Sequence, residues 1–317
     1  ERLRAAAPQL SAAHSMYAVA LAARSILSPE APEAAVLATT ARAAAHRALQ
    51  LDPKNGEAYF AIGISYGLDH AWAEREANFL RAEALSNGYG VSGDLHVGLL
   101  HEVGRMREAR ELSRRTVADN PFGPEQFFTL VILTAAADGR EAAEPLLQQL
   151  RLVVPPDAAD QARLATTFWW DDPKAARSLL DGMTGDAAVD KSCFQAYLAS
   201  LERAPPRHGL PDSCRTLQTD WRVRMLAREG DIDGAYREAD QAKRRGPSVL
   251  TALYYPEMRA FRADPRFMPL AARYGLVDYW IRSGHWPDFC TEPDRPYDCA
   301  AVARELGSRP IQAQATP

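Results

Sequence analysis

The stretch L-D-P-K-N-G-E-A-Y-F-A-I-G-I-S-Y-G, residues 51–67, decides how this chain folds. A helix-ending L-D-P-K leads into the spaced pattern Tyr59-x2-Ile62-Gly63-x2-Tyr66. A glycine set among aromatics at helical spacing marks close approach of a second helix. The missing Cβ lets the two helices touch, and the aromatics fill the space around that contact. Outward from this stretch, Pro53 ends one apolar-periodic segment, Pro121 in N-P-F-G ends another, and Pro155 in V-V-P-P ends a third. Asn87, in L-S-N-G-Y-G, falls between the first two. Positions 53, 87, 121 and 155 are successively 34 apart.

A period of 34 is that of the tetratricopeptide repeat, whose first helix carries W-x2-L-G-x2-Y. Phe79 and Ala82 fall where the second helix places its large and small packing residues. Ala41, Ala45 and Ala48 before Pro53, Gly104 and Ala109 before Pro121, and Ala143 and Leu147 before Pro155 keep the same phase. A later copy, E-G-D-I-D-G-A-Y-R-E-A-D-Q-A-K-R-R-G-P, holds Gly230, Ala235, Ala239, Ala242 and Pro247 at the same offsets. Two departures stand out: Arg75 replaces a small residue and Gly93 replaces an aromatic. The pattern predicts an all-α fold, an antiparallel helix-hairpin (TPR-like) superhelical solenoid. The array spans 1–247, with its best repeats over 31–155 and divergent ones over 156–247. Short helices over 248–307 form a C-terminal cap, and a disordered tail covers 308–317. Helices are expected at about 9–27 and 32–51, then as pairs to about 247. Asp264-Pro265 opens a short helix that Gly275 stops, another covers Val277 to Ser283, and a last one runs from about 299 to Gly307.

A formal net charge of −4 argues against non-specific nucleic-acid binding, which needs a concentrated basic surface, and no direct nucleic-acid contact by this chain is expected. The one basic cluster, Lys243-Arg244-Arg245, ends a helix and complements its C-terminal dipole. No run of about 18 apolar residues is present to span a bilayer, and no signal peptide is apparent. Because the sequence opens on Glu1, it reads as a processed protein or an excised domain.

Several motifs resemble catalytic or ligand signatures. Gly63-Ile64-Ser65-Tyr66-Gly67 is a literal G-x-S-x-G, but no strand precedes it to make a nucleophile elbow. Gly88 to Gly93 is a literal G-x-G-x-x-G that follows a helix rather than a strand. His96 and His101 sit five residues apart, so their rings diverge on a helix, and no H-E-x-x-H is present. Asp171-Asp172 suit an N-cap before Pro173. Trp169-Trp170 suit a repeat junction or, less simply, an aromatic wall. No catalytic residue, metal ligand or cofactor is therefore expected.

Cys193, Cys214, Cys290 and Cys299 are the whole cysteine set and contain no C-x2-C. Two sequence-local pairs suggest disulfides, with four buried thiols as the alternative reading. Pro205-Pro206 and Pro211 can reverse the chain between the first pair, and Pro293 and Pro296 between the second. Bridges would imply an oxidising compartment. Trp280, Trp286, Phe289 and Tyr297 supply apolar area for a stapled cap, which the exposed end of a repeat array requires.

The run A-D-P-R-F-M-P-L-A-A-R-Y-G-L-V-D-Y-W-I-R-S-G-H-W-P-D-F-C, followed by P-Y-D-C, resembles the C-terminal end of bacterial tetratricopeptide proteins. Many of these carry an N-terminal winged-helix DNA-binding domain and one transmembrane helix. They are one-component, membrane-bound transcription regulators whose repeats lie outside the cytoplasmic membrane. The resemblance implies a periplasmic or extracytoplasmic location, a membrane tether in a longer parent protein and shared cysteines. The winged helix and the membrane helix are absent from this sequence.

Tetratricopeptide arrays present first-helix side chains on a concave surface. Counting from the in-phase units, Glu57, Phe60, Ile64, Asp94, His101, Glu125, Phe128 and Ile132 should line it. That apolar and acidic lining suits a protein or peptide ligand with apolar anchors and a basic group. The chain's own segment or a neighbouring molecule, as in a homo-oligomer, is the competing occupant. The expected function is non-catalytic: the sensory or interaction domain of a membrane-tethered regulator, or alternatively a periplasmic scaffold for envelope assembly.

Overall fold

The computed structural model describes residues 2–28, 31–67, 69–85, 91–168, 173–182, 191–201, 209–242 and 247–308. Gly88 to Gly90 of the glycine-rich motif, Trp169-Trp170, Asp171-Asp172, Lys243-Arg244-Arg245 and residues 309–317 of the tail lie outside them.

The described residues are helical, with irregular and 3-10 connections. After a short α1 (Arg2–Ala6), the first hairpin is α2 (Ser11–Leu27) against α3 (Ala34–Leu51). The second is α4 (Gly56–Ser65) with α5 (Trp72–Leu85), and the third is α6 (Val91–Glu102) with α7 (Met106–Asp119). Next come α8 (Pro124–Asp138) with α9 (Arg140–Val153), then α10 (Pro156–Phe168) with α11 (Pro173–Gly182). A lone α12 (Lys191–Leu201) precedes the last hairpin, α13 (Thr219–Arg228) with α14 (Ile232–Ala242). In the divergent middle α10 still pairs with α11, while α12 stands between hairpins without a partner helix of its own among the described residues. Short helices follow: α15 (Arg259–Ala263), α16 (Phe267–Arg273), α17 (Leu276–Ser283) and α18 (Cys299–Ser308).

Local chemistry sets these boundaries. The Asn55 side chain accepts the Ala58 amide at 3.0 Å and caps α4. Proline occupies the start of α8, α10 and α11, where its missing N–H costs nothing. Gly104 and Gly230 turn their hairpins at positive φ, +85° and +80°. The Gly63 contact is as tight as the sequence demands: a Cβ there would stand 2.5 Å from the Phe79 ring. The departure at Arg75 also has a cause. Its guanidinium packs over Trp72 and Phe79 and reaches Glu102 of the next hairpin at 2.5 Å.

Both cysteine pairs are bridged, with Cα separations of 4.7 Å for Cys193–Cys214 and 5.8 Å for Cys290–Cys299. The first ties α12 to the 3-10 turn Asp212–Cys214, and the second ties the turn Asp288–Cys290 to the start of α18. The irregular C-terminal segment caps the last hairpin, where Tyr236 of α14 stacks on Phe261 at 4.0 Å. It also does something the sequence did not announce, running back to the second and third hairpins. Trp72 donates to the Tyr274 carbonyl at 2.8 Å, Trp280 to the Val103 carbonyl at 2.9 Å, and the Asp288 amide to the Gly104 carbonyl at 2.9 Å. One apolar core consequently runs from Ala22 to Ala303 and joins the early repeats to the C-terminal segment.

Candidate binding surface

The eight residues expected to line a concave groove divide into two sets. Phe60, Ile64, His101 and Ile132 are buried. Glu57, Glu125 and Phe128 are exposed, and Asp94 is half-buried. The first four are corrected from surface to core positions. The reason lies in the first helices themselves. Phe60 through Ser65 are all buried, as are Leu130 through Ala135. A helix without a polar side is enclosed on every side. The runs 60–65 and 130–135 are sealed, while Glu57, Glu125 and Phe128, ahead of them in the same helices, stay exposed.

Part of the seal is the chain's own C-terminal segment. The His101 ring meets the Tyr255 ring edge-on at 5.3 Å and hydrogen-bonds the Thr251 backbone. Burial dominates its titration and pushes it down to about 4, with the Thr251 bond opposing and the charge of Arg224 adding. His96 instead pairs with Glu83 at 2.8 Å, so the two histidines serve different neighbours. Ser65 is buried, and its hydroxyl donates to the Ile62 carbonyl at 2.7 Å, within its own helix. Among the described residues, no group of three or more His, Cys, Asp or Glu is arranged to hold a metal ion.

What stays open is an acidic and aromatic patch. Gln126 donates to Asp94 and joins the N-terminal half of α6 to that of α8. Glu125 and Phe128 flank Gln126 on α8, and Phe128 is 37% exposed. Phe122, in the turn before α8, is exposed as well. Burial raises the Asp94 carboxyl above its ordinary 3.8, the Gln126 hydrogen bond opposes the rise, and the charge of Glu125 adds to it. Two carboxylates close enough to interact favour a cation, and the exposed Phe128 ring lies one helical turn along α8 from Glu125. At the other end of the row, Glu57 accepts the Ser15 hydroxyl at 3.0 Å.

Several buried polar groups that the sequence did not flag lie where the C-terminal segment docks. Arg105 donates to Tyr279 at 2.7 Å and to both oxygens of Glu108, and it is paired with Glu76. Tyr279 donates in turn to Glu76 at 2.9 Å. Arg224 and Glu257 form a second buried pair at 2.7 Å. An arginine or glutamate in a helical pattern reads as surface until its partner, over 170 positions away for Arg105, is known.

No family model and no curated protein matches this sequence. Among solved structures, one from Pseudomonas aeruginosa, described as "Functional Characterization of Pseudomonas Aeruginosa pilF", is similar with a TM-score of 0.45 and 15% identity. It covers 80% of this chain and 98% of its own. The hairpin architecture rests on the packing described above. No helix among the described residues is long and apolar enough to cross a membrane.

Proposed function

We propose that this chain is a non-catalytic interaction domain that binds a protein or peptide segment bearing a basic group beside an apolar one. The observation that carries this reading is the patch of Asp94, Glu125 and Phe128. These residues stand on neighbouring first helices and stay reachable where Phe60, Ile64, His101 and Ile132 of the expected row are sealed. Extended repeat arrays use such faces for peptide recognition. The two disulfides favour an oxidising compartment and hence an extracytoplasmic location. Together with the C-terminal resemblance, they support assignment as the sensory part of a membrane-tethered transcription regulator. A winged-helix domain encoded upstream in the same reading frame would distinguish this role from an envelope-assembly scaffold.

The binding test is panning of a displayed peptide library against the folded chain. Peptides pairing Lys or Arg with a large apolar residue should be enriched. The double substitution Glu125→Gln with Phe128→Ala should weaken them by about tenfold or more while leaving thermal unfolding unchanged. No enrichment, or enrichment that the double variant retains, would overturn the assignment.

A further inference from the structure

Where the C-terminal segment meets the third and fourth hairpins, it encloses a hollow of about 230 Å³. That is below the roughly 300–1,000 Å³ of sites for drug-sized ligands. The charges on its wall sort into used and unused groups. Arg107 is paired with Asp288, whose carboxylate also accepts the Arg107 amide at 2.8 Å. Arg110 is paired with Asp138. Those four are paired with one another, and Arg110 keeps only its Nε without a hydrogen-bond partner among the described residues.

Three further polar groups on the same wall lack either an ion pair or a hydrogen-bond partner among the described residues. Tyr254 is buried, and its hydroxyl has no hydrogen-bond partner. Arg262 is buried and donates from Nη1 to the Leu253 and Tyr255 carbonyls, at 2.7 and 2.9 Å. Among the described residues, no ion pair engages its guanidinium. Glu292 stands exposed at the rim, also without an ion pair among the described residues. The three sense one another: Glu292 is the largest charge acting on Arg262, and the charge of Arg262 acts on the Tyr254 phenol. A buried cation and a buried donor without a partner are costly unless something supplies an acceptor. A carboxylate supplies two acceptor oxygens to a guanidinium and a hydroxyl. A simple anion would meet the negative charge of Glu292, whereas a molecule that also carries an ammonium group would be attracted by it. Phe289, Ala136 and Met106 provide an apolar remainder to the wall.

We propose that this hollow binds a free α-amino acid, its carboxylate held by Arg262 and the Tyr254 hydroxyl and its ammonium group facing Glu292. The site is separate from the patch on α6 and α8. It is built from both the repeat array and the docked C-terminal segment, so its ligand would strengthen their junction.

Calorimetric titration of the intact chain with each of the standard amino acids tests this, alongside acetate and ethylamine as half-ligands. At least one amino acid should saturate a single site, with its des-amino acid analogue binding about tenfold weaker. Tyr254→Phe should weaken that amino acid about tenfold while leaving the melting midpoint unchanged or raised, since it removes a buried hydroxyl that lacks a partner. Glu292→Gln, at an exposed rim position, should abolish the preference over the des-amino analogue. The proposal is overturned if no amino acid saturates by about 10 mM, a limit set by millimolar affinity being near 4 kcal/mol. It is equally overturned if the des-amino analogue binds as well, or if both variants bind like the parent.

Discussion

The indole nitrogen of Trp280 donates to the main-chain carbonyl of Val103 at 2.9 Å, across 177 positions of sequence. Val103 sits in the turn of the third hairpin, immediately before Gly104, and Trp280 is fully buried. The bond marks the place where the C-terminal segment stops being only a cap and becomes part of the array. Four expectations follow from that docking and from the chemistry around it.

Gly104 and Gly230 occupy the corresponding turns of two hairpins and share a left-handed backbone. A Cβ at Gly104 would stand 2.5 Å from the Tyr254 ring and 2.6 Å from Pro287, while at Gly230 it would meet open space. Gly230→Ala should cost about 1–2 kcal/mol from backbone strain alone. Gly104→Ala should cost about 2–4 kcal/mol, because overpacking adds to the strain. Urea unfolding of the two variants measures the difference. Equal losses would mean that the segment does not press on this turn.

The Arg105, Glu76 and Tyr279 network is buried, and Arg105 links it outward to Glu108. Tyr279→Phe should cost about 1–3 kcal/mol by leaving buried partners unmet. Glu76→Ala should cost about 3–5 kcal/mol by stranding much of a buried cation. The double variant should cost less than the sum, with a coupling of about 1 kcal/mol or more in a double-mutant cycle. Strict additivity would show the groups to be independent.

His101 should make folding sensitive to mild acid. Its pKa lies at about 4 in the folded chain, against an ordinary 6.5, so the unfolded chain binds the proton more readily. Stability from the neutral ring is fully present above pH 6.5 and is lost as the pH falls through 4, by about 3 kcal/mol in all. Asp94, Asp220 and Asp288, whose carboxyls burial raises from 3.8, act with the opposite sign at the lower end. The diagnostic comparison is therefore the parent chain against His101→Gln between pH 6.5 and 5. The parent should lose stability there, and the variant should show a flatter curve.

Alkylation of the denatured, unreduced chain should label no cysteine, and prior reduction should expose all four. The loops of 21 and 9 residues imply about 3 and about 2.5 kcal/mol of stabilisation. Cys193 and Cys214 are fully buried, whereas Cys290 is only half-buried. Mild reductant should accordingly open Cys290–Cys299 first, and mass mapping of trapped intermediates would show the order. Release of Cys193–Cys214 first would contradict the burial.

Much of this molecule was legible as text, because helical hairpins are encoded locally. The 34-residue spacing, the turn glycines, the Gly63 contact with Phe79 and the pairing of the cysteines all depend on residues within about two turns or one loop of each other. The error over Phe60, Ile64, His101 and Ile132 came from counting phase while overlooking composition. The runs F-A-I-G-I-S and L-V-I-L-T-A lack a polar face, a visible sign of enclosure. Arg262 and Glu76 gave no such sign, since a charge between apolar residues is consistent with either surface or core.

By itself, then, the sequence determined the hairpins of the best repeats and their turns, and it pointed to the two covalent staples. Only the tertiary structure decided that the C-terminal segment returns to Trp72, Val103 and Gly104. It alone brought Tyr255 over His101 and created the hollow beside Tyr254 and Arg262. The physical reason is range: helix periodicity is satisfied within a few residues. Docking across about two hundred positions depends on how the small rotations between successive hairpins add up, which no local pattern specifies.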